Sequence, residues 1–191
     1  AGVNILIVGI GLFVLIAMNL DNAVAILAEG YESVKPLVLI LMLGRLVDMA
    51  SGLNNELISI SRYYKFNFRA SALLLIMVFV LDRMYIPIYG IYGAAWVATI
   101  SLAAFNIAKM IFLYRKMNLH PFTKGSLYVV LAGAAAAVPG FLLPNLGNPF
   151  LDATVRSLAI IVCYVGMLLW LKPSNDLVTY LDNIKQNKRL F

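Results

Sequence analysis

The sequence predicts an all-α fold, a polytopic membrane bundle of six transmembrane helices. Three observations carry this. Hydrophobic residues make up 62% of the 191 residues and charged ones only 13%, with a mean hydropathy of +0.89. That balance excludes an ordinary soluble domain. The apolar runs are near-continuous and about 17–24 residues long, which is helix length for a bilayer core; barrel strands would be about ten residues with alternating polarity. The basic residues gather in short segments between these runs.

The elements follow in order. The first span is predicted from Val3 to Leu20, ending at Asp21-Asn22, with a connector over 21–34 that includes Glu29, Gly30 and Glu32. The second starts near Lys35-Pro36, where proline suits a first helical turn, and continues to Ser61 as one long helix with a polar last third: Ser51, Asn54, Asn55 and Glu56. RYYKFNFR, residues 62–69, is read as a connector. The third span covers Ala70 to Tyr85 and is stopped by Pro87, after which Tyr89 to Gly93 form a tight turn. The fourth covers Ile91 to Leu113, the fifth Gly125 to Leu143 and the sixth Ala153 to Leu171. A polar, weakly amphipathic tail, 172–191, closes the chain.

The net charge of +6 raises nucleic acid as a partner, but loop-clustered basic residues are what the positive-inside rule produces, so no nucleic-acid partner is expected. One side collects Arg62, Lys65, Arg69, Arg115, Lys116, Lys124, Lys172, Lys185, Lys188 and Arg189. The other has Lys35, Arg83 and Arg156. Ten against three places both ends of the segment in the cytoplasm. Tyr85, Tyr89 and Tyr92 then mark the outer interface, and Tyr63, Tyr64, Phe66 and Phe68 the inner one. Cys163, the single cysteine, lies in an apolar run and is expected as a reduced thiol. The chain enters an apolar helix directly after Ala1, without the basic start of a signal peptide, which suggests a C-terminal piece of a larger protein or an excised domain.

The chemistry concentrates in the second span. Ionisable residues at bilayer depth cost about 2.5–3.5 kcal/mol each on insertion scales, so they face a protein interior or a water-filled path. Arg45, Asp48, Gly52, Asn55 and Ser59 share one face of a continuous helix, with Glu56 beside them. Two roles are open. Arg45 contacts an anionic substrate group in a cavity lined by Asp48, Ser51, Asn55 and Glu56, or Arg45 and Asp48 pair and only fix packing. Asp82-Arg83 reads as a locally paired, snorkelling charge at the outer end of the third span, and Lys109 as a snorkeller at the inner end of the fourth. Asn106 is placed for an interhelical hydrogen bond, and Gly93, Ala94, Ala95 and Ala98 for tight helix contact. The only histidine, His120, has no Cys or acidic neighbour at ligand spacing, no nucleotide-binding glycine loop occurs, and no Ser/His/Asp set assembles in the short loops. No metal, no cofactor and no enzymatic activity are therefore expected.

Residues 86–99, IPIYGIYGAAWVAT, resemble the most typical stretch of the polysaccharide-export flippases within the multidrug/oligosaccharidyl-lipid/polysaccharide exporter superfamily. Pro87, Tyr89, Gly90, Ile91, Gly93, Ala94, Ala95 and Thr99 match that pattern, and residues 44–56, GRLVDMASGLNNE, resemble the corresponding helix of lipopolysaccharide-type members. The resemblance extends from Tyr31 to Met117; Asp82 departs from it, standing where many members have asparagine. It implies two pseudosymmetric helical bundles around a central cavity. Residues 1–117 would then belong to the second bundle, 118–171 would be two additional C-terminal helices, and 172–191 a cytoplasmic tail. It further implies a bacterial inner-membrane protein that flips a lipid-linked oligosaccharide by alternating access for cell-surface polysaccharide or lipopolysaccharide synthesis, in contact with membrane lipid and with the first bundle of the same polypeptide. The alternative is a cation-coupled multidrug antiporter of the same superfamily, for which Asp48 is the candidate coupling carboxylate.

Overall fold

The computed structural model describes residues 2–27, 30–120, 122–174, 176 and 179. They form six helices and no strand: α1 (Gly2–Leu27), α2 (Val34–Ala50), α3 (Asn54–Ser59), α4 (Tyr64–Met117), α5 (Lys124–Leu142) and α6 (Pro149–Leu171). The fold is an all-α helical bundle. Among the described residues α1, α4, α5 and α6 are each long and apolar enough to cross a membrane. The chain is therefore a membrane protein. Most of the tail, with Lys185, Lys188 and Arg189, lies outside the described residues, as does Glu29 of the first connector.

Helix α1 does not end at Asp21-Asn22. It runs on to Leu27 because both polar residues find partners. Asp21 forms an ion pair with Lys35 (Nζ to Oδ1 2.6 Å), and the buried Asn22 amide donates to Asp152 Oδ2 at 2.5 Å. A paired polar side chain gives a helix no reason to stop.

The long second span is also different. Helix α2 ends at Ala50, and Gly52 takes φ +68°, a conformation that only glycine adopts without strain. The short helix α3 follows after the break. At 17 residues α2 is about 25 Å long, less than a full bilayer core, rather than the predicted helix of about 40 Å. The face shared by Arg45, Asp48, Gly52, Asn55 and Ser59 therefore does not exist as a continuous stripe.

Helix α4 begins at Tyr64, so most of the expected connector is helical, and Pro87 is accommodated inside it. The reversal comes three residues later, at Gly90 (φ 58°, ψ −139°). The two limbs fold back on each other. The Phe66 ring stacks on Phe112 with centroids 3.7 Å apart, and a Cβ on Gly93 would stand 2.6 Å from the Tyr85 carbonyl oxygen. Two apolar limbs joined by a turn at 89–93 are what the sequence implies for this stretch; what differs is that the first limb starts at Tyr64 and passes through Pro87. The limb over 64–89 has no buried residue.

Helix α1 is the hub and packs on α2, α5 and α6, while α4 joins the bundle through α2 and carries α3 against it. The larger core sets Leu6, Ile10 and Val14 of α1 against Val129, Ala132 and Ala136 of α5 and Ile160, Tyr164 and Leu168 of α6. Small residues on α5 allow close approach: Gly133 faces Ile10 and Gly140 faces Met18. Tyr164 donates to the Ile7 carbonyl at 2.7 Å, which satisfies its hydroxyl inside this core. At one end Asn148 caps α6 by accepting from Phe150 N and Leu151 N, with Pro149 as the first helical residue, so α6 starts four residues before the predicted Ala153. There Arg156 pairs with the buried Asp152 at 3.0 Å and donates to the Gly140 and Leu143 carbonyls at the end of α5.

Helices α2 and α4 meet at Gly44, where a Cβ would lie 3.1 Å from Thr99 Cα, and Thr99 Oγ1 donates to the Ile40 carbonyl at 2.8 Å. Gly44→Val should force the two helices apart and cost about 1–3 kcal/mol, read as a fall in Tm in detergent. Gly166, with open space around its Cα, is the control. Gly166→Ala should leave Tm unchanged or raise stability by up to about 1 kcal/mol through helix propensity.

Candidate functional site

The break between α2 and α3 opens onto a cavity of about 430 Å³. Its polar lining comes from Asp48 and Ser51 of α2 and its cap, Asn55 and Glu56 of α3, and Ser71, Asn106 and Lys109 from the two limbs of α4. Ile5 of α1 closes one side. Irregular backbone inside a membrane protein is tolerated where it is buried in protein or lines such a cavity. The Ser51–Leu53 turn meets that condition.

Asn106 organises the site. It is fully buried. Its amide donates to Asp48 Oδ1 at 2.9 Å and to the Leu102 carbonyl at 3.0 Å, and its oxygen accepts from Ser51 Oγ at 3.2 Å. Ser51 also donates to the Asp48 carbonyl at 2.7 Å, closing the carbonyl end of α2. One amide thus ties α4 to both a carboxylate and a helix end, as the sequence reading of Asn106 anticipates.

Lys109 is not a snorkeller. It is 3% exposed and lines the cavity one turn from Asn106. Its ammonium lies over the Phe105 ring, 4.0 Å from the centroid, in the cavity that Asp48 and Glu56 also line. Lysine is almost never fully buried unless paired, yet Lys109 forms no hydrogen bond or ion pair among the described residues.

Of the five residues singled out from the sequence, Asp48, Ser51, Asn55 and Glu56 come together around this cavity. Arg45 does not. Its side chain is 76% exposed and lines a neighbouring, largely apolar cavity of about 360 Å³ with Gly44, Leu74 and Thr99. Its guanidinium reaches Asp48 Oδ2 only at 4.0 Å, so the pair is loose. The sequence reading missed Lys109 as a site residue. The available signal was its spacing: Asn106 and Lys109 are three apart in an otherwise apolar helix, hence on one face.

Asp82 and Arg83 do not pair locally. Asp82 Oδ1 is buried without a hydrogen bond, and Arg83 is exposed and forms no ion pair among the described residues. A second large cavity, about 610 Å³, lies between the limbs of α4 and is lined by Tyr85, Tyr89, Tyr92 and Trp96 with aliphatic neighbours. The Tyr92 hydroxyl donates to the Ser33 carbonyl at 2.9 Å and anchors α4 to the start of α2. His120 stacks on Tyr114, with centroids 4.5 Å apart.

Comparison with protein families, curated proteins and solved structures finds no match to this chain.

Replacing Asn106 by Leu should strip Asp48 of its side-chain amide donor and Ser51 of one of its two acceptors, at a cost of about 1–3 kcal/mol for the interhelical hydrogen bonds lost. Ser101 is the contrasting case on the same helix: fully buried, with an unpartnered Oγ. Ser101→Ala should be neutral or stabilising. Melting curves of both variants in detergent check the pair.

Proposed function

We propose that the chain is part of a membrane transporter that moves a lipid-linked oligosaccharide or polysaccharide precursor across a bacterial inner membrane, for cell-surface polysaccharide or lipopolysaccharide synthesis. The observation that carries this reading is a polar, charged cavity at a broken helix inside an apolar bundle. Discontinuous helices and intramembrane ionisable residues mark substrate and ion paths in secondary transporters, which work by alternating access around a midplane site. The resemblance of residues 86–99 to the polysaccharide-export pattern supplies the substrate class.

In this reading α2 and both limbs of α4 cross the membrane, giving six spans with α1, α5 and α6. Residues 1–117 contribute to the second of two bundles, 118–171 form the two additional helices, and both ends of the segment are cytoplasmic. Arg45, exposed on the flank of α2, meets the anionic headgroup, and the Asn55, Ser51 and Asp48 side chains offer hydrogen bonds to the glycan. Guanidinium suits phosphate through its bidentate fork.

The two carboxylates in the cavity, Asp48 and Glu56, favour a second reading, a cation-coupled antiporter. The role of Arg45 in the first reading has a direct test. In the full-length protein Arg45→Ala should abolish surface glycan display while membrane protein level is kept, and Arg45→Lys should retain part of it. If Arg45 only balances Asp48, Arg45→Leu/Asp48→Leu should restore both abundance and export, and full export by that double variant would remove Arg45 from the substrate path.

Orientation is tested separately. In a Cys163→Ser background, cysteines at Lys65 and Asn118 should be shielded from an impermeant thiol reagent in intact cells, and one at Gly147 should be labelled. Labelling at Asn118 in sealed cells would overturn the placement.

A further inference from the structure

We propose that Lys109 is a tethered cation: its ammonium holds, inside the cavity at the α2–α3 break, the place of a free monovalent ion such as sodium, and removing its charge turns that cavity into a sodium site. The inference does not depend on which substrate crosses the membrane.

The groups around Lys109 are oxygen donors of the kind hard cations take: the Asp48 and Glu56 carboxylates, Asn106 Oδ1, Ser51 Oγ and the carbonyl end of α2. Unwound backbone and the C-terminal ends of half-helices coordinate monovalent ions in transporters, because the helix dipole is negative there. Lys109 brings a positive charge to that end from a neighbouring helix. It is buried, lines the cavity and, beyond its contact with the Phe105 ring, forms no hydrogen bond or ion pair with any described residue, so no acid of the described chain holds its charge in place.

The charge count agrees. The cavity lining carries two acidic groups, Asp48 and Glu56, and one basic group, Lys109. Arg45 approaches Asp48 from outside at 4.0 Å and brings the cluster to zero. The four groups balance with no mobile ion. Without Lys109 the cluster holds one uncompensated negative charge on a cavity lined with oxygen donors, and a cleft of one sign concentrates counter-ions.

The test uses the purified chain in lipid nanodiscs, with radiolabelled sodium and with Tm read in sodium against choline. The unaltered protein and Lys109→Arg should bind no sodium above Asp48→Asn/Glu56→Gln and should melt at the same temperature in both salts. Lys109→Met, close in length and uncharged, should bind sodium saturably and gain several degrees in Tm in sodium only. Adding Asp48→Asn and Glu56→Gln to Lys109→Met should abolish both effects. If Lys109→Met does not fold in choline, purification in sodium should recover it. Sodium binding by the unaltered protein, a folded Lys109→Met that binds none, or failure of Lys109→Met to fold in either salt would each overturn the proposal.

Discussion

The hydrogen bond from the fully buried Asn106 amide to the half-exposed Asp48 carboxylate is the interaction around which the polar part of the molecule is arranged. A carboxylate on a membrane helix needs donors, and Asn106 supplies one at 2.9 Å while also accepting from Ser51. That single amide fixes the register of α4 on α2, and Thr99 and Gly44 set the same register two turns away. It also stabilises the end of α2 just before Gly52 breaks the helix. The cavity exists because the chain turns there, and its charges are held apart rather than collapsed into one ion pair. Arg45 stands at 4.0 Å and Lys109 pairs with neither acid.

The two sides of the bundle are stabilised by different physics. On the α1–α5–α6 side, packing of Leu, Ile, Val and small residues dominates, and the one charged network is closed: Asp152 is engaged by Asn22, Arg156 and the Leu146 amide, and Arg156 takes the carbonyls at the end of α5. Removing one member of such a network leaves a buried group unmatched. On the α2–α3–α4 side the network is open toward a cavity, and the limb of α4 over 64–89 presents only exposed or half-exposed side chains. Leu73, Leu75, Ile76 and Phe79 there are apolar, as suits a helix facing lipid or another helix. A closed network holds an element in place; an open one leaves charge available to a ligand.

Much of the fold was legible. Long apolar runs dictate helices because no other backbone arrangement of that length satisfies its own hydrogen bonds in lipid. Pro36, Asn148-Pro149 and Asn118 act locally, so the ends near them fall within a few residues of their predicted places. What failed were boundaries set by partners distant in sequence. Asp21 and Asn22 look like a helix end until Lys35 and Asp152 are placed beside them. Pro87 looks like a stop but is carried inside the helix, while the turn itself falls at Gly90, within the predicted 89–93 stretch, where a positive φ lets the limbs close.

The sequence by itself determined that this is an all-helical membrane protein and that residues 45–56 carry its polar chemistry, because hydropathy and the cost of charge in a bilayer depend only on composition along the chain. Tertiary structure alone decided which of those residues share a site. Helical periodicity assumes an unbroken helix, and Gly52 breaks it, so Asn55 and Glu56 reach the cavity from a separate helix; Arg45, although in α2 with Asp48, lines the neighbouring cavity. Lys109 reaches that second cavity from more than fifty residues further along, because the α4 limb that carries it packs on α2. No local pattern encodes that approach. It comes from packing at Gly44 and Thr99 and from the hydrogen bond between the buried Asn106 amide and Asp48.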